Sequence, residues 1–316
     1  MPITRLAPSP TGALHLGNAR TFLVNWAMAR KRGWRIILRI EDLDGPRIKK
    51  GADAQAIEDL RWLGIDWDEG PIYQSTRQPL YRAAIVRLLD AHRAYPCTCT
   101  RSEVASAASA PHAEDGSSVY PGACRGRFAD IDHARLQAGR EPAIRFAVPP
   151  GVVEFDDGFT GRQRCDVGRE LGDFVIAKND GTAAYQLAVV VDDADMGVSD
   201  IVRGDDLLDS TPRQILLYRA LERADRLPQY YHLPLVVGTD GRRLAKRHGD
   251  TRLSHYRGRG VSARRVLALL GRWCGLISDA AELTARQFLD LFDLAAMPRQ
   301  RITFTAEDDR WLYGQS

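Results

Sequence analysis

The amino-terminal segment constrains the fold of this chain more than any other part. Residues 3–7 are predicted to form a short strand, and the Pro-Ser-Pro-Thr-Gly sequence of residues 8–12 then breaks regular structure. From residue 17 to about residue 31, apolar side chains recur at helical spacing. A strand that leads through such a loop into a helix presents free N–H groups and a positive dipole end to an anion. The segment therefore predicts an anion-binding strand–loop–helix unit.

The elements that follow indicate the fold class. Strands and helices alternate along the first part of the chain, which is typical of a parallel sheet with crossover helices. We therefore expect an α/β fold with a Rossmann-like parallel sheet. The predicted strands cover residues 34–40 and 231–237, and the predicted helices cover residues 52–63, 80–91 and 211–224.

The pattern changes near residue 95. An Ala/Ser-rich segment over residues 104–119 has the composition of a mobile loop, and short strand-like runs follow it. We expect a smaller inserted α+β unit within the sheet domain and a helical region at the end. The predicted divisions are the first half of the main domain over residues 1–94, the insert over 95–175, the second half over 176–240, and a basic loop with a helical tail over 241–316.

Composition excludes several classes of protein. The chain of 316 residues has no apolar stretch near the roughly 20 residues that a membrane-spanning helix needs, and its start lacks the pattern of a secretory signal. We expect a cytoplasmic monomer without membrane contact. The net charge of +3 does not indicate a nucleic-acid binder, yet basic residues concentrate in residues 242–265. That stretch is either a phosphate-binding surface or an ordinary solvated face.

Three of the five cysteines lie close together in the sequence. Cys97, Cys99 and Cys124 leave a tetrahedral zinc site one ligand short. We expect one structural zinc ion, although three reduced cysteines without a metal would give the same spacing. The residues that could supply the fourth ligand are Tyr120, His112 and His133. The remaining two cysteines, Cys165 and Cys274, are expected to be ordinary buried thiols.

Five blocks of sequence, taken in order, resemble class I glutamyl-tRNA synthetases. The first contains His15, Gly17 and Asn18 in a His-Leu-Gly-Asn motif, and the last stands where the family has its second ATP loop. The resemblance extends over about residues 1–260, and neither a Walker-type loop nor a Gly-x-Gly-x-x-Gly turn is present. The blocks cover residues 5–20, 38–44, 180–188, 202–208 and 243–247.

The resemblance implies ATP as a substrate, with Mg²⁺ accompanying its phosphates. It assigns catalysis to His15, Asn18 and Lys246. The second ATP loop departs from the family pattern, because Arg243 replaces a lysine and Ala245 replaces a serine. Lys246 is retained, and its charge suits the departing pyrophosphate. The residues expected to bind ATP are His15, Gly17, Asn18, Arg243, Lys246 and Arg247.

The resemblance also implies L-glutamate as the amino acid. Free glutamate carries an ammonium and two carboxylates, so its pocket needs an acid and one or two guanidinium groups. Glu41 is the expected ammonium partner. Arg5 and Arg203 are the expected carboxylate partners, and which of them takes the side-chain carboxylate stays open. The glutamate-binding residues carried over from the family are Arg5, Ala7, Ser9, Glu41, Tyr185 and Arg203.

The acceptor is implied by the shortened members of this family. Full-length members continue into a helical anticodon-binding region, which we do not expect here because the chain stops at residue 316. The shortened members share a Cys-x-Cys and Tyr-x-x-x-Cys pattern, which Cys97, Cys99, Tyr120 and Cys124 match. They transfer glutamate to queuosine in the anticodon loop of tRNA(Asp), a single-stranded target. The alternatives are charging of the 3′ end of tRNA(Glu) and a non-catalytic RNA-binding paralogue.

The tail beyond the second ATP loop retains three large aromatic side chains. We expect Trp273, Phe288 and Trp311 to pack in a core rather than to form a platform for RNA bases.

Overall fold

A computed structural model describes residues 1–100, 102–104, 119–242, 244 and 249–314 of the chain. The described strands are β1 (Ile3–Leu6), β2 (Arg35–Ile40), β3 (Glu69–Tyr73), β4 (Ala94–Cys97), β5 (Ala143–Phe146), β6 (Val153–Asp157), β7 (Gly161–Cys165), β8 (Phe174–Ala177), β9 (Asp200–Gly204), β10 (Gln229–Leu233), β11 (Val236–Val237) and β12 (Ile302–Thr303). The helices are α1 (Leu16–Arg32), α2 (Ala52–Trp62), α3 (Gln78–Asp90), α4 (Ile131–Ala138), α5 (Val167–Glu170), α6 (Tyr185–Asp195), α7 (Ser210–Ala220), α8 (Leu253–Gly258), α9 (Ala263–Trp273), α10 (Ala285–Leu291) and α11 (Ala306–Leu312).

A parallel sheet organises the molecule, which confirms the predicted α/β class. Strands β1, β2 and β3 pair in parallel, and β9, β10 and β6 form a second parallel set. The two sets meet at the amino ends of β1 and β9. There the Ser199 N–H donates to the Ile3 carbonyl over 2.9 Å, and the Ile3 N–H donates to Ser199 Oγ over 2.9 Å. The order β3–β2–β1–β9–β10 follows from these contacts.

The first hydrophobic core joins α1 and the first strands to the helical tail. Trp273 and Phe288 are buried in this core, which confirms the expectation that they pack internally. Trp311 is partly buried against it, with the guanidinium carbons of Arg265 and Arg272 at 4.7 Å and 5.1 Å from its ring centre. The helical tail therefore shares a core with α1, whose amino end contributes to the candidate site.

The segment predicted as an insert contributes to two sheets. Strands β4, β5 and β8 form a small antiparallel sheet. Strand β6 pairs in parallel with β10, so it extends the main sheet, and β7 follows it as an antiparallel neighbour. A small separate core surrounds Cys97, Tyr120 and Cys124. The division of residues 95–175 into an independent unit stays a prediction.

Predicted elements and described elements differ mainly at their ends. The run predicted as a strand over residues 231–237 divides into β10 and β11 on either side of Pro234, which cannot donate a ladder hydrogen bond. The carbonyl of Pro234 instead accepts from the buried Arg20 Nη1 over 2.8 Å. Among the described helices, none has the length and apolar character required to cross a membrane.

Candidate active site

A cleft of about 510 Å³ opens at the carboxyl ends of β1, β2 and β9. Ligands of open α/β sheets bind at this kind of position, where strand order reverses. The structure brings together in this cleft every described residue that the sequence assigned to ATP or glutamate. These residues are Arg5, Ala7, Ser9, His15, Gly17, Asn18, Glu41, Tyr185 and Arg203. The other predicted ATP residues, Arg243, Lys246 and Arg247, lie outside the described residues.

The start of α1 is built by a reciprocal cap. His15 Nδ1 accepts from the N–H groups of Gly17 and Asn18 over 3.1 Å and 3.3 Å, while Asn18 Oδ1 accepts from the His15 N–H over 3.3 Å. Because Nδ1 acts as an acceptor, the neutral ring carries its proton on Nε2. A Cβ at Gly17 would lie 3.0 Å from the His15 ring, so a larger residue there would displace the imidazole. The cap fixes a donor-bearing ring at the positive end of a long helix.

Residues that follow the second ATP loop pack against this cap. The Leu16 N–H donates to the Thr251 carbonyl over 3.0 Å, and the Leu253 N–H donates to the Leu14 carbonyl over 2.9 Å. His15 and Arg252 form an isolated antiparallel bridge. The described chain on the carboxyl side of the loop is therefore held directly beside the start of α1.

A network of buried charged side chains lies beside the cleft, where the chain leaves β2. Arg39 is fully buried, and it donates to Glu41 Oε1 over 3.1 Å and to Asp193 Oδ1 over 2.6 Å. Arg5 Nε lies 3.3 Å from the same Asp193 oxygen. Burial raises the pKa of Glu41, although the charges of Arg39 and Arg5 oppose that rise. An ammonium ion placed beside Glu41 would remove part of the cost of keeping this carboxylate charged.

Arg203 enters the cleft from β9. Its Nη2 donates to Thr211 Oγ1 over 2.7 Å and its Nε donates to His232 Nε2 over 2.9 Å. Its Nη1 is buried and has no hydrogen-bond partner among the described residues. A buried guanidinium nitrogen without a partner is costly unless a ligand supplies an acceptor.

Sequence reasoning missed the residues that hold the predicted ones in place. Arg39 lies in the block over residues 38–44, but the resemblance assigns it no role. Asp193 lies in a largely apolar helix, where only its carboxylate indicates that a buried partner exists. His232 contacts Arg203 directly, and Asp157 contacts His232. No sequence pattern connects these two residues with Arg203. Such supporting residues become visible only when the strands are assembled.

The three clustered cysteines converge as predicted. Cys97, Cys99 and Cys124, called here the cysteine cluster, have sulfur atoms within 4.8 Å of one another. Tyr120 Oη lies 3.5 Å from the sulfurs of both Cys97 and Cys99, and it accepts from the Cys124 N–H over 2.8 Å. Three thiols and a phenol at these distances fit the ligand set of a closed structural zinc site.

The surroundings of the cysteine cluster distinguish the proposed fourth ligands. His133 accepts from the Ala129 N–H and packs against Phe128, and it is not part of the group that could hold a metal. His112 lies outside the described residues. Burial raises the pKa of Tyr120, so a phenolate at this position requires a cation beside it. Among the candidates that the structure describes, Tyr120 is the one that reaches the cluster.

Arg145 lies directly beside the cysteine cluster. Its Nε donates to Cys97 Sγ over 3.2 Å, and its guanidinium carbon lies 3.9 Å from the ring centre of Tyr120. A fixed positive charge at this position favours thiolate and phenolate forms of its neighbours.

Described arginines of the basic stretch over residues 242–265 lie near acids inside and outside the stretch. Arg252 pairs with Asp250, Arg257 pairs with Glu58, and Arg264 lies 3.9 Å from Glu282. Because Arg243, Lys246 and Arg247 lie outside the described residues, these contacts concern only the later part of the stretch, and both interpretations of it stay predictions.

Comparisons with known proteins agree with this geometry. Residues 3–307 match the family described as tRNA synthetases class I (E and Q), catalytic domain. The chain is 48% identical to a protein of Symbiobacterium thermophilum named glutamyl-Q tRNA(Asp) synthetase, over 96% of each chain. A protein of Rhodopirellula baltica with the same name is also 48% identical, over 94% of this chain and 95% of the other.

Longer relatives match over part of their length. A glutamate–tRNA ligase of Halorhodospira halophila is 40% identical over 99% of this chain and 65% of its own. The crystal structure of a glutamate tRNA ligase from Elizabethkingia meningosepticum, in complex with its amino acid, superposes with a TM-score of 0.81 at 26% identity, over 98% of this chain and 68% of the other. With its parallel sheet and its cleft of family residues, the chain belongs to the class I tRNA synthetases of the E and Q type.

Proposed function

We propose that this protein activates L-glutamate with ATP and transfers the glutamyl group to the queuosine base in the anticodon loop of tRNA(Asp). The observation that carries the activation step is a single cleft in which Glu41, Arg5 and Arg203 stand beside the capped start of α1. The acceptor rests on similarity over nearly the whole length of two proteins named glutamyl-Q tRNA(Asp) synthetase.

In the first step, an oxygen of the glutamate α-carboxylate attacks the α-phosphorus of ATP. The bond from that phosphorus to the bridging oxygen breaks, and pyrophosphate leaves with the electron pair. The positive dipole end of α1 favours the phosphates by charge, and the Nε2–H of His15 favours them by hydrogen bonding. By resemblance, Lys246, Arg243 and Arg247 add positive charge to the triphosphate, and Mg²⁺ would neutralise part of the phosphate charge when it accompanies ATP.

The amino acid is held by opposite charges on three elements. Glu41 accepts from the ammonium group, and Arg5 and Arg203 each donate to a carboxylate. Tyr185 is 37% exposed and lines the cleft, where it would contact the amino acid. Ala7 and Ser9 line the same wall and leave room for the substrate backbone.

In the second step, a hydroxyl on the cyclopentene ring of queuosine attacks the activated carbonyl. The carbon–oxygen bond to AMP breaks, the hydroxyl loses its proton, and a glutamyl ester remains on the tRNA. A base in an anticodon loop can be turned out into a pocket at lower cost than a paired base.

We further propose one structural zinc ion, with Cys97, Cys99, Cys124 and Tyr120 as its ligands. When bound, the ion would stabilise the small core around these side chains. Cys97 lies at the end of β4, so the proposed zinc ligands connect this small core to the antiparallel sheet of β4, β5 and β8.

Two assays test the activity. Glutamate-dependent ATP–pyrophosphate exchange should proceed with L-glutamate and not with L-glutamine, and its absence would contradict activation. Labelled glutamate should then transfer to tRNA(Asp) that contains queuosine, and not to queuosine-free tRNA(Asp) or to tRNA(Glu). Queuosine-containing tRNA(Asp) without its 3′-terminal adenosine should remain a substrate. Loss of transfer to that shortened tRNA would indicate charging of the 3′ end instead.

A further inference from the structure

Three buried polar side chains on neighbouring strands form a continuous chain that ends at the cleft. Asp157 closes β6, His232 lies in β10, and Arg203 lies in β9, with relative exposures of 4%, 0% and 4%. His232 and Arg203 are register partners in the parallel ladder. Asp157 Oδ2 lies 2.7 Å from His232 Nδ1, and His232 Nε2 lies 2.9 Å from Arg203 Nε.

The arrangement determines where the histidine proton sits. A guanidinium nitrogen can only donate, so His232 Nε2 must be the acceptor of its bond with Arg203. The proton of the neutral ring is therefore on Nδ1, from which it donates to Asp157. The acceptor role of Nε2 requires a neutral ring; burial and the charge of Arg203 lower the pKa of His232 in agreement with this, although the Asp157 carboxylate opposes them. Thr211 Oγ1, 3.2 Å from Nε2, is compatible with this tautomer as a second donor.

Asp157 is itself held by the backbone. Its Oδ1 accepts from the N–H groups of Phe159, Thr160 and His232 over 2.9 Å, 2.8 Å and 3.2 Å. This leaves Oδ2 for the imidazole. The orientation of the carboxylate is thus fixed by three amides before it meets the histidine.

We propose that Asp157 and His232 are positioning residues, which fix the tautomer of the imidazole and thereby aim Arg203 Nη1 at a carboxylate of the bound amino acid. The proposal rests on the assignment of Arg203 to glutamate. The contacts from His232 and Thr211 use Nε and Nη2, and Nη1 alone is left buried without a partner among the described residues. The guanidinium is therefore oriented before the substrate arrives, which reduces the cost of binding.

An isosteric substitution separates this role from simple packing. In Asp157→Asn, the three backbone donors require the side-chain oxygen at the Oδ1 position, so the new NH₂ group faces His232 Nδ1. The imidazole must then accept at Nδ1 and carry its proton on Nε2. That proton would face the Arg203 Nε–H, and two opposed donors cannot bond. Asp156→Asn, at the exposed neighbouring residue of β6, is the matched control.

Glutamate kinetics and histidine NMR together test the proposal. For Asp157→Asn we expect a rise of about tenfold or more in the KM for glutamate. The KM for ATP should stay close to that of the control, whereas the melting temperature should fall, because two buried donors then oppose each other. Nitrogen-15 histidine spectra should show His232 with its proton on Nδ1 in the wild type and on Nε2 in the variant. His232→Gln identifies the His232 signals among the seven histidines.

The results distinguish a positioning role from simple packing and from failure of the proposed function. A wild-type signal with the proton on Nε2, or a reversed tautomer with an unchanged KM for glutamate, would overturn the positioning role. If Asp157→Asn does not fold, glutamate is added to the wild type with ATP bound. A shift of the His232 Nε2 resonance supports the proposal and the absence of a shift overturns it. A wild type that shows no glutamate activation refutes the proposed function itself, whereas an active wild type with an indifferent variant refutes only the positioning.

Discussion

Replacement of Glu41 by glutamine tests the charge that the cleft offers to the amino acid. Glutamine keeps an oxygen that can accept from Arg39 Nη2, now 3.1 Å from Glu41 Oε1, so the buried network loses little geometry. The substitution removes the negative charge that faces the substrate ammonium. A hydrogen bond to a charged group contributes about 1.5–3 kcal/mol, and Glu41 is only 9% exposed, so water weakens it little. We therefore expect kcat/KM for glutamate to fall by about 10- to 150-fold.

The same substitution should change the pH dependence. Burial raises the pKa of Glu41, and the ionised form is the one that accepts from an ammonium group. In the wild type, kcat/KM for glutamate should therefore decrease as the pH falls through that raised pKa. The glutamine variant has no titrating group at this position, so its activity should be low and should lack this decrease.

Pyrophosphate exchange measured over a range of glutamate and ATP concentrations gives kcat/KM for glutamate and the KM for ATP. Glu58→Gln is the matched control, because Glu58 is exposed on α2, where it pairs with Arg257. The KM for ATP should be similar in all three proteins. A Glu41→Gln enzyme with wild-type kcat/KM for glutamate, or with an unchanged acid limb in its pH profile, would show that another group binds the ammonium.

Three further predictions concern stability and metal binding. Burial raises the pKa of Asp59 to about 6, so wild-type stability falls as the pH rises from about 4 to about 6. Asp59→Asn removes this titration, and it should stabilise the fold by up to about 3 kcal/mol above pH 6 and by much less near pH 4. Urea unfolding at several pH values measures the difference. Arg145→Met should weaken zinc binding by about 10- to 100-fold in competition with a chelator, because a donor to the cysteine cluster is lost, and unchanged affinity would contradict this role. Gly158→Ala should lower stability by about 1–3 kcal/mol, because its Cβ would lie 2.2 Å from the Tyr231 ring, whereas Gly258→Ala has open space and should melt near the wild type.

Much of the site could be predicted because its residues lie in short blocks at strand ends. Arg5, Ala7 and Ser9 follow from β1, and Glu41 follows from β2, so their order along the chain already placed them near one edge of the sheet. The carboxyl ends of parallel strands share that edge. The prediction that these residues form one site came from the resemblance to the glutamyl-tRNA synthetases, and the strand-end geometry explains why they meet in one cleft.

The supporting residues could not be predicted for a different physical reason. Asp193 contacts Arg5 and Arg39 because α6 packs across the strands, and Asp157 reaches His232 because β6 returns to the main sheet after the small antiparallel sheet. Each contact depends on tertiary packing between segments distant in sequence. A buried acid in an apolar run signals that a partner exists, but it does not identify that partner.

Strands β1 and β9 are joined at their amino ends, and each carries one arginine of the cleft. Their amino ends are fixed by the two hydrogen bonds between Ile3 and Ser199, whereas Arg5 and Arg203, further along each strand, both line the opening. Each arginine is then secured from its own side, Arg5 by Asp193 and Arg203 by His232. Both guanidinium groups are therefore oriented by buried protein partners. If the two arginines bind the carboxylates of glutamate, as we propose, this prior orientation reduces the cost of ordering long side chains on binding.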